Sequence, residues 1–441
     1  MLSPGLLAIL APLLIGGALF LPLHFVLLAR YPLVVFPGLW EIGGVRFDPT
    51  DLVMAATVLG LVLRRQLATG LRDGGIPYLR SWLLLGFMAS LAFVKAPMNE
   101  QYLGEPLRVA YQLFRYSWGL ILFYPLCALL LTDRKKVETA ALIVVMAGDL
   151  CGLKAIPQGY SGMLANSFFH TGNAFVGALM IPFVLSAAML LRGNQRTPLR
   201  LFYLISFLVM GRAILFTGSR GGVLASLAAF SVLAGCLFLR SDLRPRLFRG
   251  MAAATLAVVV LLVLKPDVLE RPTVKTALSA REGTQAGTMQ WRFQHRWPHF
   301  IEIIKENPWF GTGSAVDGTL GERANTPHNG YLTIAVRSGI PVLLGYLLFA
   351  GRAIRDGMRS ALRRSATDQN TGLLLLGLVA GLSGLLVHNL VDSTIRVGFA
   401  ADLFWLICAV TASAPKWVGE ESQEMVEEED SLVGHPRVVR V

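Results

Sequence analysis

The side chains of this chain that could do chemistry on an anion are arginines placed beside glycines and a histidine placed beside an asparagine. In GSRGGVLASLAAF, residues 218–230, an apolar run follows a Ser-Arg-Gly-Gly start. Ser219 is a natural N-cap for the helix this run predicts. Gly221 and Gly222 remove side-chain bulk, so an anion can approach first-turn N–H groups that lack an intrahelical partner. Arg220 adds a fixed charge and a planar fork suited to phosphate. An interfacial Arg in a tight turn between two spans fits the same residues equally well. In PHNGYLTIAVRSGIPVLL, residues 327–344, Asn329 or Thr326 can cap a second helix, with His328 beside the cap and Tyr331 one turn in. Imidazole, with an unperturbed pKa of about 6.5, is suited to general-base work. A lone His at such a place is more often a plain interfacial residue. Its position directly after a long connection brings the functional reading closer.

Two further stretches carry polar chemistry. WRFQHRWPHFIEIIKENPWFGTGSA, residues 291–315, crowds aromatics with Arg292, Arg296, His295 and His299. The two histidines have the i, i+4 spacing of a metal pair. Pro298 between them disturbs a continuous helix, however, and no third ligand is evident, so no metal site is assigned. Residues 300–304 are amphipathic and predict a helix along a membrane surface. Asn307 and Pro308 end it, and Gly311 and Gly313 allow a sharp turn. The last pair is NSFFHTGNAFVGALM, with His170 and Asn173, and VHNLVDSTIRVGF, with His388, Asn389, Asp392 and Arg396. Asp392 and Arg396, at i, i+4, read as an ion pair, and Arg396 as an interfacial anchor.

These stretches need elements to hold them, and composition says which. Of 441 residues, 54% are hydrophobic and 15% charged, against about 25% charged in a soluble domain; mean hydropathy is +0.57. A bilayer core of about 30 Å asks for apolar runs near twenty residues. Such runs recur at 5–29, 51–63, 81–95, 111–131, 137–153, 173–191, 200–216, 222–239, 251–264, 331–350, 371–387 and 398–412. They predict an all-α polytopic membrane protein of about twelve transmembrane helices, with 30–40 re-entrant or a further span. The start is apolar from Leu6 without a basic n-region, so it reads as a retained span rather than a cleaved signal. Three divisions follow: N-terminal transmembrane helices at 1–160, a core at 161–412 that includes a long connection at 265–330, and an acidic tail at 413–441. That tail reads as a disordered cytoplasmic end.

Charge sets the orientation. The formal net charge is +12, and before Gly419 the chain carries 38 basic residues against 21 acidic ones. In a membrane protein such an excess first reports topology, and no basic run interleaved with aromatics points to nucleic acid. Nineteen Lys/Arg fall in one alternating set of short loops, around 64–80, 134–136, 192–200, 240–249 and 352–364, against nine in the other. The positive-inside rule places the first set and both termini in the cytoplasm, and the connection 265–330 outside. Arg220, Arg292, Arg296 and His328 then share the outer face, where a lipid-linked phosphate or pyrophosphate could be held. The four cysteines, Cys127, Cys151, Cys236 and Cys408, lie in or beside apolar runs, which argues against structural disulfides. Walker, Rossmann and His-Glu-x-x-His motifs are missing, so nucleotide chemistry and zinc proteolysis have no residues to stand on.

The combination resembles a known family. GSRGG at the start of a span, a Trp-to-NPWFGTG segment in a large loop, HNGYL followed by a span with an early Gly (Gly339), and VHNLVD near the end resemble the O-antigen ligase/polymerase superfamily of polytopic C-type glycosyltransferases. The resemblance covers about residues 160–410 in matching order. Pro341 stands where the family usually has another Gly. The loop Arg usually stands four residues before the Trp, whereas here Arg292 is five before Trp297 and Arg296 adjacent to it, so either can carry that role. The resemblance implies transfer of a glycan, without metal or cofactor and with inversion, from undecaprenyl pyrophosphate to an acceptor hydroxyl at the periplasmic face of a bacterial inner membrane. In ligases the acceptor is lipid A–core oligosaccharide, in polymerases another repeat unit, and in related enzymes a protein Ser. It implies His328, Arg220 and Arg292 as catalytic residues, with Arg296, Gly221, Gly222, Asn329, Tyr331 and Asn173 toward substrate. A polysaccharide or lipid transporter would instead call for interrupted helices and midplane charges. Here charges gather at span ends, with Arg337 the clearest exception. The topology is directly testable: a reporter fusion or cysteine label within 265–330 should report the side opposite the cytoplasm.

Overall fold

A computed structural model describes residues 21–33, 40–42, 45–47, 49–66, 75–95, 119–161, 163–169, 171–250, 289–313, 327–362, 369–394 and 398–432, with Gly17 and Ala252. The expected span 251–264, most of 5–29, His170, Arg396 and much of 265–330 lie outside the described residues. In chain order the elements are α1 (Leu23–Leu28), α2 (Arg30–Leu33), a hairpin of β1 (Trp40–Ile42) and β2 (Val45–Phe47), α3 (Pro49–Leu63) and α4 (Leu79–Lys95). A π-helical turn (Gly119–Phe123) leads into α5 (Tyr124–Leu130), then α6 (Arg134–Tyr160), α7 (Gly172–Leu190), α8 (Thr197–Phe216) and α9 (Arg220–Leu239). A single turn (Met289–Trp291), a second π-helical turn (Arg292–Arg296) and α10 (Trp297–Glu306) follow. The chain continues as α11 (Gly330–Ser338), α12 (Ile340–Leu362), α13 (Gln369–Asn389) and α14 (Gly398–Leu432).

Among the described residues, α6, α7, α8, α9, α13 and the first part of α14 are long and apolar enough to cross a membrane. The chain is therefore a multi-pass membrane protein. The expected number was about twelve. Four apolar helices, Leu23–Leu33, Asp51–Leu63, Leu79–Leu91 and Gly119–Leu130, are shorter than a crossing needs. The two-stranded antiparallel hairpin, Trp40 opposite Phe47, is the β-structure among the described residues.

Burial ranks the long helices. In α7 and α13, 78% and 83% of the membrane-length stretch is buried, against 33% in α8 and α9. α7 and α13 thus lie at the centre with the first part of α14, itself 78% buried, while α8 and α9 wrap it with a lipid-facing side. Small residues let the central pair close. A Cβ at Gly381 would lie 3.0 Å from the Ile181 backbone, and one at Gly384 would lie 2.8 Å from Ala229 of α9. Such contacts matter because helices in lipid associate by packing rather than by escape from water. Arg30 of α2 pairs with Asp402 of α14 in the interior, and its guanidinium stands over Phe123. Arg30, one of the nine Lys/Arg that the sequence reading counts in the opposite set of loops, is thus an interior ion-pair member.

At one end of the bundle the arginines expected in the cytoplasm serve the backbone. Arg192 donates to the Asn370 carbonyl at 3.1 Å and pairs with Glu138. Arg240 donates to the Ala361 carbonyl at 2.8 Å, and Arg246 to the Leu191 carbonyl at 3.3 Å. Ala361 and Leu191 stand at the C-terminal ends of α12 and α7, where carbonyls lack intrahelical partners and cations are favoured.

Two expectations are corrected. The predicted span 331–350 is two helices, α11 and α12, broken at Gly339, whose backbone (φ 87°, ψ 167°) suits only glycine. The break has a packing cause. The NPWFGTG segment crosses it, with Ile340 N–H donating to Pro308 O and Thr312 N–H to Val336 O, both at 2.8 Å. A side chain at Gly339 would strike the Trp309 carbonyl, and one at Gly311 the backbone of Arg337. In addition, the acidic tail read as disordered from Gly419 is helical to Leu432. Glu, Gln, Met and Leu are good helix formers, and the span supplies the nucleus that an isolated tail would lack.

The break at Gly339 yields a stability prediction. Gly339→Ala should cost about 1–3 kcal/mol from backbone strain alone and lower the thermal midpoint of the detergent-solubilised protein. Gly351→Ala, with open space around it, should stay near wild type.

Candidate functional site

The site is built at the end of the bundle opposite those arginines, where α7, α9 and α11 begin and α13 ends. At α9 the local sequence acts as expected. Ser219 Oγ accepts the Gly222 N–H at 3.0 Å, and Gly218, at φ 65°, turns the chain into the cap. Arg220 is exposed beside it. Gly221 and Gly222 act otherwise than expected, because protein fills the space that they free. A Cβ at Gly221 would lie 2.5 Å from Val391 Cγ2, and one at Gly222 2.5 Å from Val176 Cγ1. The two glycines therefore let α9 close against the end of α13 and against α7, rather than leaving a bare anion cradle.

At α11, Asn329 is the cap. Its Oδ1 accepts the N–H groups of Tyr331 and Leu332, both at 3.0 Å, and its Nδ2 donates to the Leu390 carbonyl at 3.1 Å. Asn329 is 6% exposed, so its amide is engaged in joining α11 to the stretch after α13. Tyr331 OH donates to the Leu386 carbonyl at 2.6 Å and does similar work. Asn173 lies half-buried in the first turn of α7. That turn starts against Thr217, since a Cβ at Gly172 would lie 3.2 Å from the Thr217 carbonyl oxygen.

His328 precedes this cap with φ 48°, a left-handed conformation that His adopts more readily than most residues. Its Nδ1 lies 3.1 Å from Asp392 Oδ1, with the imidazole 35% and the carboxylate 13% exposed. Burial alone would push the Asp392 carboxyl up. The hydrogen bond from His328, the charges of His328 and His388 and the Ser393 N–H outweigh burial and hold it below its ordinary range. An ionised Asp392 keeps the proton on Nδ1, which leaves Nε2 of the partly exposed ring as the free acceptor. The sequence reading of an Asp392–Arg396 pair lies outside the described residues, since Arg396 is not among them. The partner that the structure shows for Asp392 is His328, 64 residues away in the chain.

The loop helix docks on the same place. Arg292 Nη1 donates to the Val391 carbonyl at 2.5 Å, and Trp297 Nε1 donates to the Pro327 carbonyl at 2.9 Å, next to His328. Burial lowers the proton affinity of Arg292 while the Asp392 charge opposes that effect. Arg296 is lowered by burial and then by Arg292 itself. Both remain cations. Their Nε atoms are buried without a hydrogen-bond partner, so both forks keep donor capacity. The two sit in a π-helical turn, a rare form frequent at functional sites. Arg296 stands 5.9 Å over the Trp291 ring. His295 stacks on the same ring, and the His299 ring meets Phe300. Phe300 buries the apolar side of α10 against Val336.

Arg292, Gly221 and His328 thus all converge on the Val391–Asp392 step. A family model described as O-antigen ligase matches residues 205–347. This stretch is thus similar to the O-antigen ligase domain. It carries Ser219–Gly222, Arg292, Arg296, His328 and Tyr331, which supports the resemblance to the O-antigen ligase-like superfamily drawn from the sequence. Asp392 lies beyond the matched segment. A search of curated proteins returned no match.

Sequence reading missed Asp392 as the partner of His328 and Trp297 as the anchor of its turn. The available hint was a carboxylate at a span end on the same predicted face as the histidine. The geometry also ranks the two loop arginines. Arg292→Ala unties the π-helical turn from Val391 and removes a charged hydrogen bond worth about 1.5–3 kcal/mol, so the thermal midpoint should fall. Arg296→Ala, whose described contact is the Trp291 face, should leave the midpoint close to wild type.

Proposed function

We propose that this protein is an O-antigen ligase-type enzyme that transfers a glycan from undecaprenyl pyrophosphate to a sugar hydroxyl of lipid A–core, at the periplasmic face of a bacterial inner membrane. The observation that carries the reading is the His328–Asp392 pair set beside Arg292 at a junction of helix ends. His328 Nε2 takes the proton of the acceptor hydroxyl. The freed oxygen attacks the anomeric carbon, the bond from that carbon to the phosphate oxygen breaks, and undecaprenyl pyrophosphate leaves with the electron pair. Attack opposite the leaving group inverts the anomeric centre. Asp392 steadies the imidazolium formed on His328.

The leaving diphosphate needs charge stabilisation more than protonation. Arg292 supplies a fork that cannot lose its proton, with Arg296 next to it and exposed Arg220 at the start of α9. No step in this scheme calls on a metal or cofactor. Extending a repeat-unit chain, as a polymerase does, is the same chemistry on a different acceptor, and the family match favours neither.

Purified protein offered the lipid-linked glycan with lipid A–core, in the presence of a metal chelator, should cap the core. A ladder of longer lipid-linked chains from donor alone would instead make it a polymerase. His328→Ala and Arg220→Ala should insert normally and lose about 10²–10³ in transfer rate, the scale of removing one positioned catalytic group. Near-normal transfer by His328→Ala would remove the base assignment.

A further inference from the structure

His388 is fully buried, and neither ring nitrogen has a hydrogen-bond partner. Leaving a buried polar group in that state is costly. Its place in the chain is informative. The Asp392 N–H donates to the His388 carbonyl at 3.0 Å, so one helical turn separates the two residues and their side chains share a side. Asp392, meanwhile, is served on one oxygen only: Oδ1 takes both His328 Nδ1 and the Ser393 N–H, the latter at 2.7 Å.

We infer that His388 is a positioning residue for the reaction, donating a ring N–H to the second oxygen of Asp392 and so holding that carboxylate toward His328 as the pair charges. The inference rests on the reading of His328 as base for its purpose, though not for its detection. When His328 takes a proton it pulls on Asp392, and a neutral donor on the other side keeps the carboxylate from following. The donor also drains some of the carboxylate's negative charge, so His328 binds its proton less tightly than it would beside an unassisted Asp392.

Among the described residues, the groups around the carboxylate are few. From α11 comes His328, and from the extension of α13 come His388 and the Ser393 N–H. From the loop comes Arg292, which feels the carboxylate's charge. Gly221 of α9 and Gly177 of α7 pack on this stretch through Val391 and Thr394, with Arg220 the exposed cation next to Gly221.

The test reads the protonation midpoint of His328 from the pH dependence of its carbethoxylation by diethyl pyrocarbonate, which attacks neutral imidazole. The full chain in lipid nanodiscs is followed by peptide mass spectrometry. His388→Phe should raise the midpoint by on the order of half a pH unit. His388→Met serves if the ring does not fit. His388→Asn, which keeps an N–H donor, should stay near wild type, and Asp392→Asn should lower the midpoint. An unmoved midpoint in the apolar variants, or the same rise in His388→Asn, overturns the role of His388. The measurement needs no turnover, so the two readings fail separately. A shifted midpoint with full transfer by His328→Ala would sink the base and keep the positioning role. An unshifted midpoint with a dead His328→Ala would do the reverse.

Discussion

The end of α13 is where the architecture meets its tightest constraint. Leu390, Val391 and Asp392 must accept four neighbours within three residues. Gly221 of α9 presses on the Val391 side chain, Arg292 binds the Val391 carbonyl, His328 pairs with Asp392, and Asn329 holds the Leu390 carbonyl just before them. The partners come from α9, the π-helical turn and the start of α11. A shift of α13 along its axis would therefore disturb every functional group together, and the glycines along α13 that lock it against α7 belong to the positioning of the site as much as to the fold.

Polar side chains in this protein are spent on that geometry more than on display. Asn329 and Tyr331 use their side-chain hydrogen-bonding groups on backbone atoms, and Trp297 spends its indole N–H on Pro327. Among the described residues, the far nitrogen of His328 and the forks of Arg292 and Arg296 keep capacity toward a ligand, with Arg220 exposed beside them. The arrangement fits a site that holds a doubly charged leaving group firmly while asking one imidazole to handle one proton.

Much of this was legible in the sequence because it is local. Membrane-length apolar runs gave α6 to α9, α13 and the start of α14. Ser219 and Asn329 were readable as caps because a cap bonds to residues two or three positions away. The His328–Asp392 pair was hidden by the 64 residues between its members, and Arg396 at i, i+4 offered Asp392 a nearer partner. The Gly339 break was hidden for another reason: hydropathy averaged over a span does not register one glycine whose backbone is set by a loop folded across it. Gly221 and Gly222 were rightly singled out, but the sequence could not say that Val391 and Val176 would fill the space beside them.

The arginines at the far end of the bundle serve two purposes. They carry the charge asymmetry from which the sequence reading orients the chain. In the finished bundle Arg240 and Arg246 also close the carbonyl ends of helices, and Arg192 ties the end of α7 to the start of α13. Address label and mortar are the same residues. A helix pair threaded the wrong way relative to its neighbours would leave those carbonyls bare, so a mixed topology would also be a poorly closed bundle.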